Sequence, residues 1–197
     1  IGDIVLSEGM VRLNADDRSV WTAAIEFVAT GRSGDVLRVL DTAPLELISR
    51  QGLRVQAIDG LSATRARLRF PLRSPIRGDQ VQFAAAANLR DTSIKDLLPG
   101  TEITKGSLAL ELTATGLKVD GNAEVNGVAA EVSWTEDFAA GPADPASRFT
   151  IAARLDEAER RRIGLELDPV LKGALDARIV VTARDRQPRD IAVSADL

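Results

Sequence analysis

Cysteine and histidine are both absent from the 197 residues of this chain. Without them the chain cannot form a disulfide, a thiolate nucleophile or a zinc site with nitrogen or sulfur ligands, and it lacks the commonest general base. The sequence also contains no glycine-rich phosphate loop and no nucleophile elbow of the hydrolase type. We therefore expect that the protein is not an enzyme and that it holds neither a metal ion nor a cofactor.

Aromatic residues are scarce and positive charge is not in excess. Aromatic side chains make up 4% of the chain and tyrosine is absent, although hydrophobic residues reach 45%. A core of such small side chains gains little free energy per residue, because the gain scales with the buried area. The net charge is −4. A nucleic-acid-binding domain normally carries a basic surface, so we expect no nucleic-acid partner.

What the chain does contain is apolar and polar residues in strict alternation. This period of two is typical of strands with one apolar and one polar face, as in an antiparallel sheet that is wet on one side. It predicts about ten strands, separated by turn signals of which Asn126-Gly127 is the strongest. The strands are predicted at Ile4–Leu13, Val20–Thr30, Leu61–Leu72, Val81–Leu89, Gly106–Thr115, Ala123–Val125, Val128–Trp134, Arg148–Leu155, Leu175–Ala183 and Asp190–Leu197.

Three segments break the alternation and predict short helical crossings. Ser33–Asp41 has apolar residues at helical spacing with Ser33 as a cap, and Asp91–Pro99 predicts one or two helical turns before Pro-Gly. Asp156–Arg162 begins with a capping-box pattern and ends in three arginines, which we expect to face water. Leu165, Leu167 and Leu171 follow and are expected to cover the edge of the sheet, together with Ile163.

These patterns predict a mainly β fold: a curved antiparallel sheet or groove, folded like a taco, with two or three short helical crossings. Two stretches, residues 86–127 and 152–197, share a layout of strand, crossing and returning hairpin, so we interpret them as internal repeat units. The whole chain, residues 1–197, is expected to form one β-groove segment. Periodicity alone leaves a second arrangement open, a closed β-sandwich whose apolar faces bury each other.

The apolar face itself is the candidate functional site. A curved sheet lined by small apolar side chains leaves room along its concave side for an acyl chain. The predicted lipid-facing residues are Val81, Phe83, Ala85, Leu108, Leu110, Leu112, Phe149, Ile151, Leu175, Ile179, Val181, Ile191 and Val193.

Four stretches resemble the repeats of AsmA-like envelope proteins, the superfamily of repeating β-groove proteins that includes YhdP and TamB. They are Arg154–Leu197, Val36–Leu53, Ala63–Leu72 and Asp96–Phe138. The resemblance implies a long curved sheet whose hydrophobic groove passes phospholipids across the periplasm toward the outer membrane. It also implies phospholipid acyl chains as partners, a periplasmic location and an inner-membrane anchor that lies outside this segment.

The chain begins at Ile1, and we interpret it as a segment excised from a larger repetitive protein. The first and last strands of such a segment have unpaired edges, so we expect edge-to-edge self-association. The alternative function is a closed β-sandwich that serves as a structural or binding module of the bacterial envelope and has no lipid conduit.

Overall fold

The computed structural model describes residues 3–15, 20–42, 58–76, 80–95, 100–141, 144–164, 172–184 and 187–196. These residues form one open, curved sheet of ten antiparallel strands, in which every strand pairs with its neighbours in sequence. The strands are β1 (Val5–Ala15), β2 (Trp21–Arg32), β3 (Ile58–Pro71), β4 (Gln82–Lys95), β5 (Glu102–Thr113), β6 (Gly116–Val125), β7 (Val128–Asp137), β8 (Ser147–Leu155), β9 (Leu175–Arg184) and β10 (Gln187–Asp196). The predicted mainly β fold is confirmed.

The predicted Asn-Gly turn joins β6 to β7. Val125 pairs with Val128, and the two residues between them, Asn126 and Gly127, have φ angles of 50° and 79°. Two consecutive positive φ angles are the geometry of a tight hairpin turn, whose twist matches that of the strands on either side. Asparagine and glycine are the residues that adopt this geometry at the lowest cost.

Two short helices lie between strands, α1 (Ser33–Leu40) and α2 (Glu157–Arg162). The predicted capping box of α2 is present: Glu159 N donates to Asp156 Oδ1 at 2.8 Å and Asp156 N donates to Glu159 Oε2 at 2.9 Å. The predicted cap of α1 is wrong, because Ser33 is the first helical residue and is fully buried. Arg32 occupies the capping position and makes no side-chain capping bond.

The helix predicted at Asp91–Pro99 is not present in its described part. Strand β4 instead continues to Lys95, with a register shift between Leu89 and Thr92. Asp91 has a φ of 48° at this shift, as expected for a β-bulge. The bulge lets Thr92 and Ile94 continue pairing with β5, and both residues are buried. Burial and strand pairing thus outweigh the local helical spacing. Residues 96–99 lie outside the described residues.

The sheet has one buried face and one exposed face. We call the inner face the one that carries Ala85, Leu108, Val119, Val132 and Phe149, all of them buried. The alternate residues form the outer face and are mostly exposed. The described strands form a single sheet and not the two facing sheets of a sandwich. Among the described residues, no second sheet covers the inner face. At β2 and β3 the helix α1 packs on it, with Val36 and Val39 beside Ala29, and elsewhere its side chains bury one another.

The largest core cluster is built from strands β4 to β7. Its members are alanines, valines, leucines and isoleucines on the inner face. They are Ala85, Ala87, Leu89, Ile94, Ile103, Leu108, Leu112, Leu117, Val119, Ala123, Ala130 and Val132.

Replacement of a leucine by alanine should therefore cost far more on the inner face than on the outer face. Leu108 is 4% exposed and Leu61, on the outer side of β3, is 55% exposed. We expect Leu108→Ala to lower the free energy of unfolding by about 2–5 kcal/mol, because the truncation leaves a cavity. Leu61→Ala should change it by no more than about 0.5 kcal/mol. Urea unfolding measures both, and equal losses would show that the inner face is not the core.

Candidate functional site

A nearly uninterrupted row of apolar side chains crosses the inner face from the first strand to the last. Each member pairs with the next across the sheet, so the row follows the direction of the hydrogen bonds. We call it the central row; it consists of Leu6, Ala29, Thr64, Ala87, Leu110, Val119, Trp134, Phe149, Val181 and Ile191. At about 4.8 Å between strands, the row is roughly 43 Å long. Thr64 is its one polar member.

The predicted lipid-facing residues lie together on this face. Phe149, Val181 and Ile191 are consecutive members of the central row, and Ile151, Ile179 and Val193 pair with one another in the next row. On β5, Leu110 belongs to the central row, while Leu108 and Leu112 pair with Leu89 and Ala85. Phe83 pairs with Leu68, and Leu175 pairs with Leu155. Val81 precedes β4 and is buried.

Exposure divides the inner face into a packed middle and two open ends. Leu108, Leu112 and Phe149 are buried among the central strands. On β10, by contrast, Ile191 is 59% and Val193 is 68% exposed. The other end of the row is similar, because Leu6 on β1 is 65% exposed. Apolar surface that a ligand can reach therefore lies at the terminal strands.

The space inside the packed middle is small. A cavity of about 30 Å³ lies among residues that include Ile103, Val132, Trp134, Phe149 and Ile151. A cavity needs about 10–15 Å³ on this measure to hold one water molecule, so this one has room for about two. In this conformation the middle of the inner face is filled by its own side chains. A ligand enters there only if the packed side chains move apart.

Two functional candidates were missed at the level of sequence, Trp134 and Leu6. The ring of Trp134 stacks on that of Phe149 with 5.4 Å between centroids and 19° between planes. The indole Nε1 donates to Glu136 Oε2 at 3.1 Å. Trp134 already stood at an apolar position of the predicted strand, so the alternation was a usable signal.

Leu6 reaches the inner face only because β1 contains a bulge. The register shifts between Ser7 and Met10, where Glu8 has a φ of 51°. The extra residue places Leu6 and Val11 on the same face, as their partners Ala29 and Ile25 on β2 show. Strict alternation assigns an even-numbered and an odd-numbered residue to opposite faces. Sequence periodicity therefore could not identify this end of the row.

The sequence led us to expect that all three arginines of α2 face water. This expectation is wrong for Arg160. Arg160 is fully buried, and its Nη1 donates to the carbonyl oxygens of Leu155 at 3.2 Å and Gly173 at 2.5 Å. Arg162 Nη1 donates to the carbonyl oxygen of Gly127 at 2.7 Å. The helix thus connects the ends of β8 and β9 to the turn between β6 and β7. Ile163 is exposed, whereas Leu165, Leu167 and Leu171 lie outside the described residues.

We expect the buried arginine to matter for stability more than its exposed neighbour in the same helix. Arg160→Met should lower the free energy of unfolding by about 1–3 kcal/mol, because two backbone carbonyls lose their donor inside the protein. Arg161 pairs with Glu157 at the surface, and an exposed pair contributes at most about 1 kcal/mol. Thermal and urea unfolding of Arg160→Met and Arg161→Met test this. A larger loss for Arg161→Met contradicts the assignment.

The carboxyl groups with shifted pKa values lie on outer-face positions. A hydrogen bond from Arg67 lowers the pKa of Glu26, and a backbone hydrogen bond from Gly60 lowers that of Asp59. A hydrogen bond from Lys118 lowers the pKa of Asp120. Within the described ranges, no three or more acidic side chains gather as a metal site would require. The shifts therefore reflect hydrogen bonds and ion pairs at the surface.

The depressed pKa of Glu26 should depend on one arginine. Arg67 Nη2 donates to Glu26 Oε1 at 3.1 Å. We expect Arg67→Met to raise the pKa of Glu26 toward its ordinary value, as followed by carboxyl carbon NMR. Because the folded pKa is depressed, the pair stabilises the fold above the pKa of the unfolded chain. This stabilisation is lost as the pH falls through the folded pKa.

Arg69 offers the matched control for this titration, since it lies on the same face of β3 and makes no bond to Glu26. The Arg69→Met variant should leave the titration of Glu26 unchanged. A pKa of Glu26 that does not rise in Arg67→Met would show that this hydrogen bond does not cause the depression.

No protein-family model, curated protein or solved structure matches this chain. The resemblance to AsmA-like proteins therefore stays a prediction from the sequence stretches given above. Over the part of the chain that the structure describes, neither helix has the length and apolar character needed to cross a membrane.

Proposed function

We propose that this chain is a hydrophobic β-groove segment of an intermembrane phospholipid transport protein, which holds acyl chains on its inner face in the bacterial periplasm. The observation that supports the proposal is the central row. It is a path across ten strands of a single sheet that is apolar except at Thr64, is covered by α1 at β2 and β3, and ends in exposed side chains. We also propose that the protein is not an enzyme.

The terminal strands are the best candidates for first contact with a lipid. Ile191 and Val193 are exposed on β10, next to Val181 and Ile179 on β9. An acyl chain that lies on them exchanges water for an apolar surface, which is worth about 0.8 kcal/mol for each buried CH₂ group. This transfer needs no catalytic group. Because burial of apolar surface holds the lipid without any specific contact, the lipid can move from strand to strand along the row.

Passage through the middle requires that the inner face opens. The central strands carry many alanines, among them Ala85, Ala87, Ala123 and Ala130. Each contributes little buried area, so separating them costs less free energy than separating larger side chains. We infer that acyl chains replace these self-contacts with contacts to lipid when the groove is loaded.

The packed middle also favours a second candidate function. A core with a cavity of only about 30 Å³ suits a structural or binding module of the envelope that carries no lipid. In that case the exposed ends of the central row would serve to contact protein. The two candidates differ in whether phospholipid reaches the inner face.

Photo-crosslinking from β10 should show whether lipid binds to the inner face or to the outer face. We expect a benzophenone side chain at Val193 to label phospholipid when the purified chain is mixed with vesicles of phosphatidylethanolamine and phosphatidylglycerol. The matched control is Ser194, which is also exposed but lies on the outer face. Stronger labelling from Val193 is expected because acyl chains favour the apolar face. Equal labelling from both positions rejects a lipid-binding inner face.

A third position reports on the middle of the sheet. Leu110 is a central-row residue among the packed strands, and labelling from it shows that the inner face opens to lipid. Labelling confined to Val193 restricts lipid to the terminal strands. Native mass spectrometry of the chain complements this, because the module without a lipid conduit should carry no phospholipid.

A further inference from the structure

The outer face has a depression of about 270 Å³ across β1 to β4. Ala24 on β2 and Ala84 on β4 form part of its lining, together with the longer side chains of Arg12, Arg67 and Arg69. The depression exists because alanines alternate with arginines on neighbouring strands. A water molecule needs about 10–15 Å³ of such space, so the depression has room for a small anion together with several waters.

Strand register places two of these arginines on either side of one alanine. Arg12 pairs with Ala24, Ala24 pairs with Arg69, and Arg69 pairs with Gln82. The backbones of Arg12 and Arg69 are therefore two strand spacings apart, about 10 Å. Ala24 between them projects only a methyl group. Arg12, Arg69 and Gln82 all line the same depression.

The depression has more positive than negative charge. Arg67 pairs with Glu26 at 3.1 Å, and Arg65 pairs with Glu8 at 3.1 Å and with Glu26 at 3.6 Å. Neither Arg12 nor Arg69 forms an ion pair within the described ranges, although the charge of Arg12 helps to lower the pKa of Glu26. Glu26 is the one carboxylate in the lining, against three arginines. This local excess stands out in a chain whose net charge is −4.

We propose that this depression is a binding site for a phosphate-type oxyanion, clamped between Arg12 and Arg69. A guanidinium group offers a planar fork of donors that matches two oxygens of one phosphate. Two such forks facing one alanine take opposite edges of a tetrahedral anion, and the Gln82 amide can donate to a remaining oxygen. The ligand is either a free phosphate compound or a lipid headgroup. The site lies on the face opposite the central row and does not depend on the function proposed above.

Titration with inorganic phosphate tests the site directly. At constant ionic strength, which holds screening fixed, the side-chain N–H signals of Arg12 and Arg69 should shift and saturate in NMR spectra. We expect Arg12→Gln and Arg69→Gln each to weaken phosphate binding about tenfold, which corresponds to about 1.4 kcal/mol. The side chains of Arg12 and Arg69 are exposed, so these substitutions should leave the fold intact. An unfolding curve of each variant checks this.

Arg148 supplies the matched control, because it is an exposed outer-face arginine on β8, far along the sheet from the depression. The Arg148→Gln variant should bind phosphate as the unmodified chain does. Two results overturn the proposal: shifts at Arg12 and Arg69 that do not saturate, or equal affinity in the Arg12, Arg69 and Arg148 variants.

Two further ligands identify the source of the phosphate group. Glycerol 3-phosphate represents a soluble compound, and vesicles of phosphatidic acid in phosphatidylcholine represent a headgroup, with pure phosphatidylcholine vesicles as the blank. Vesicle binding that is lost in Arg69→Gln supports a headgroup at this site. Vesicle binding that persists in Arg69→Gln rejects the headgroup, and the soluble compound is then the ligand.

Discussion

The constraint on which the rest of the structure depends is that one sheet must bury its own apolar face. The described strands form a single layer, so burial comes from curvature and, at β2 and β3, from the helix α1. Bulges assist this, because an extra residue bends a strand and increases its twist. Asp91 on β4 and Lys105 on β5, with φ angles of 48° and 51°, lie at such shifts. The inner side chains of β4 to β7 then meet across the curve and form the main core.

Curvature buries the middle of such a sheet but not its ends. β1 and β10 each have one neighbouring strand, so their inner residues have partners on one side only. Leu6, Ile191 and Val193 remain exposed although they belong to the same apolar rows as buried residues. A packed core and an accessible apolar surface are thus two parts of one face. Unpaired strand edges at the same places favour further pairing, and self-association remains a prediction.

The outer face is organised by charge, since its side chains remain in water. Long side chains there form ion pairs across strands, such as Arg65 with Glu8 and Lys105 with Glu124. These pairs contribute little to stability, but they determine which charges are left over. Around Ala24, within the described ranges, Arg12 and Arg69 form no ion pair, although Arg12 acts on Glu26 at longer range. The polar face of the same sheet can therefore hold a site of its own.

The period-two pattern by itself determined the ten strands, the inner and outer faces between the bulges and the turn at Asn126-Gly127, because alternation and turn preferences are local properties. The tertiary structure decided where alternation changes phase. The bulge at Glu8 brings Leu6 to the inner face, and the one at Asp91 replaces a predicted helix with strand. It also decided that Arg160 is buried and that the middle of the inner face is filled. These outcomes depend on contacts between distant residues and on the curvature of the whole sheet, which no short stretch of sequence encodes.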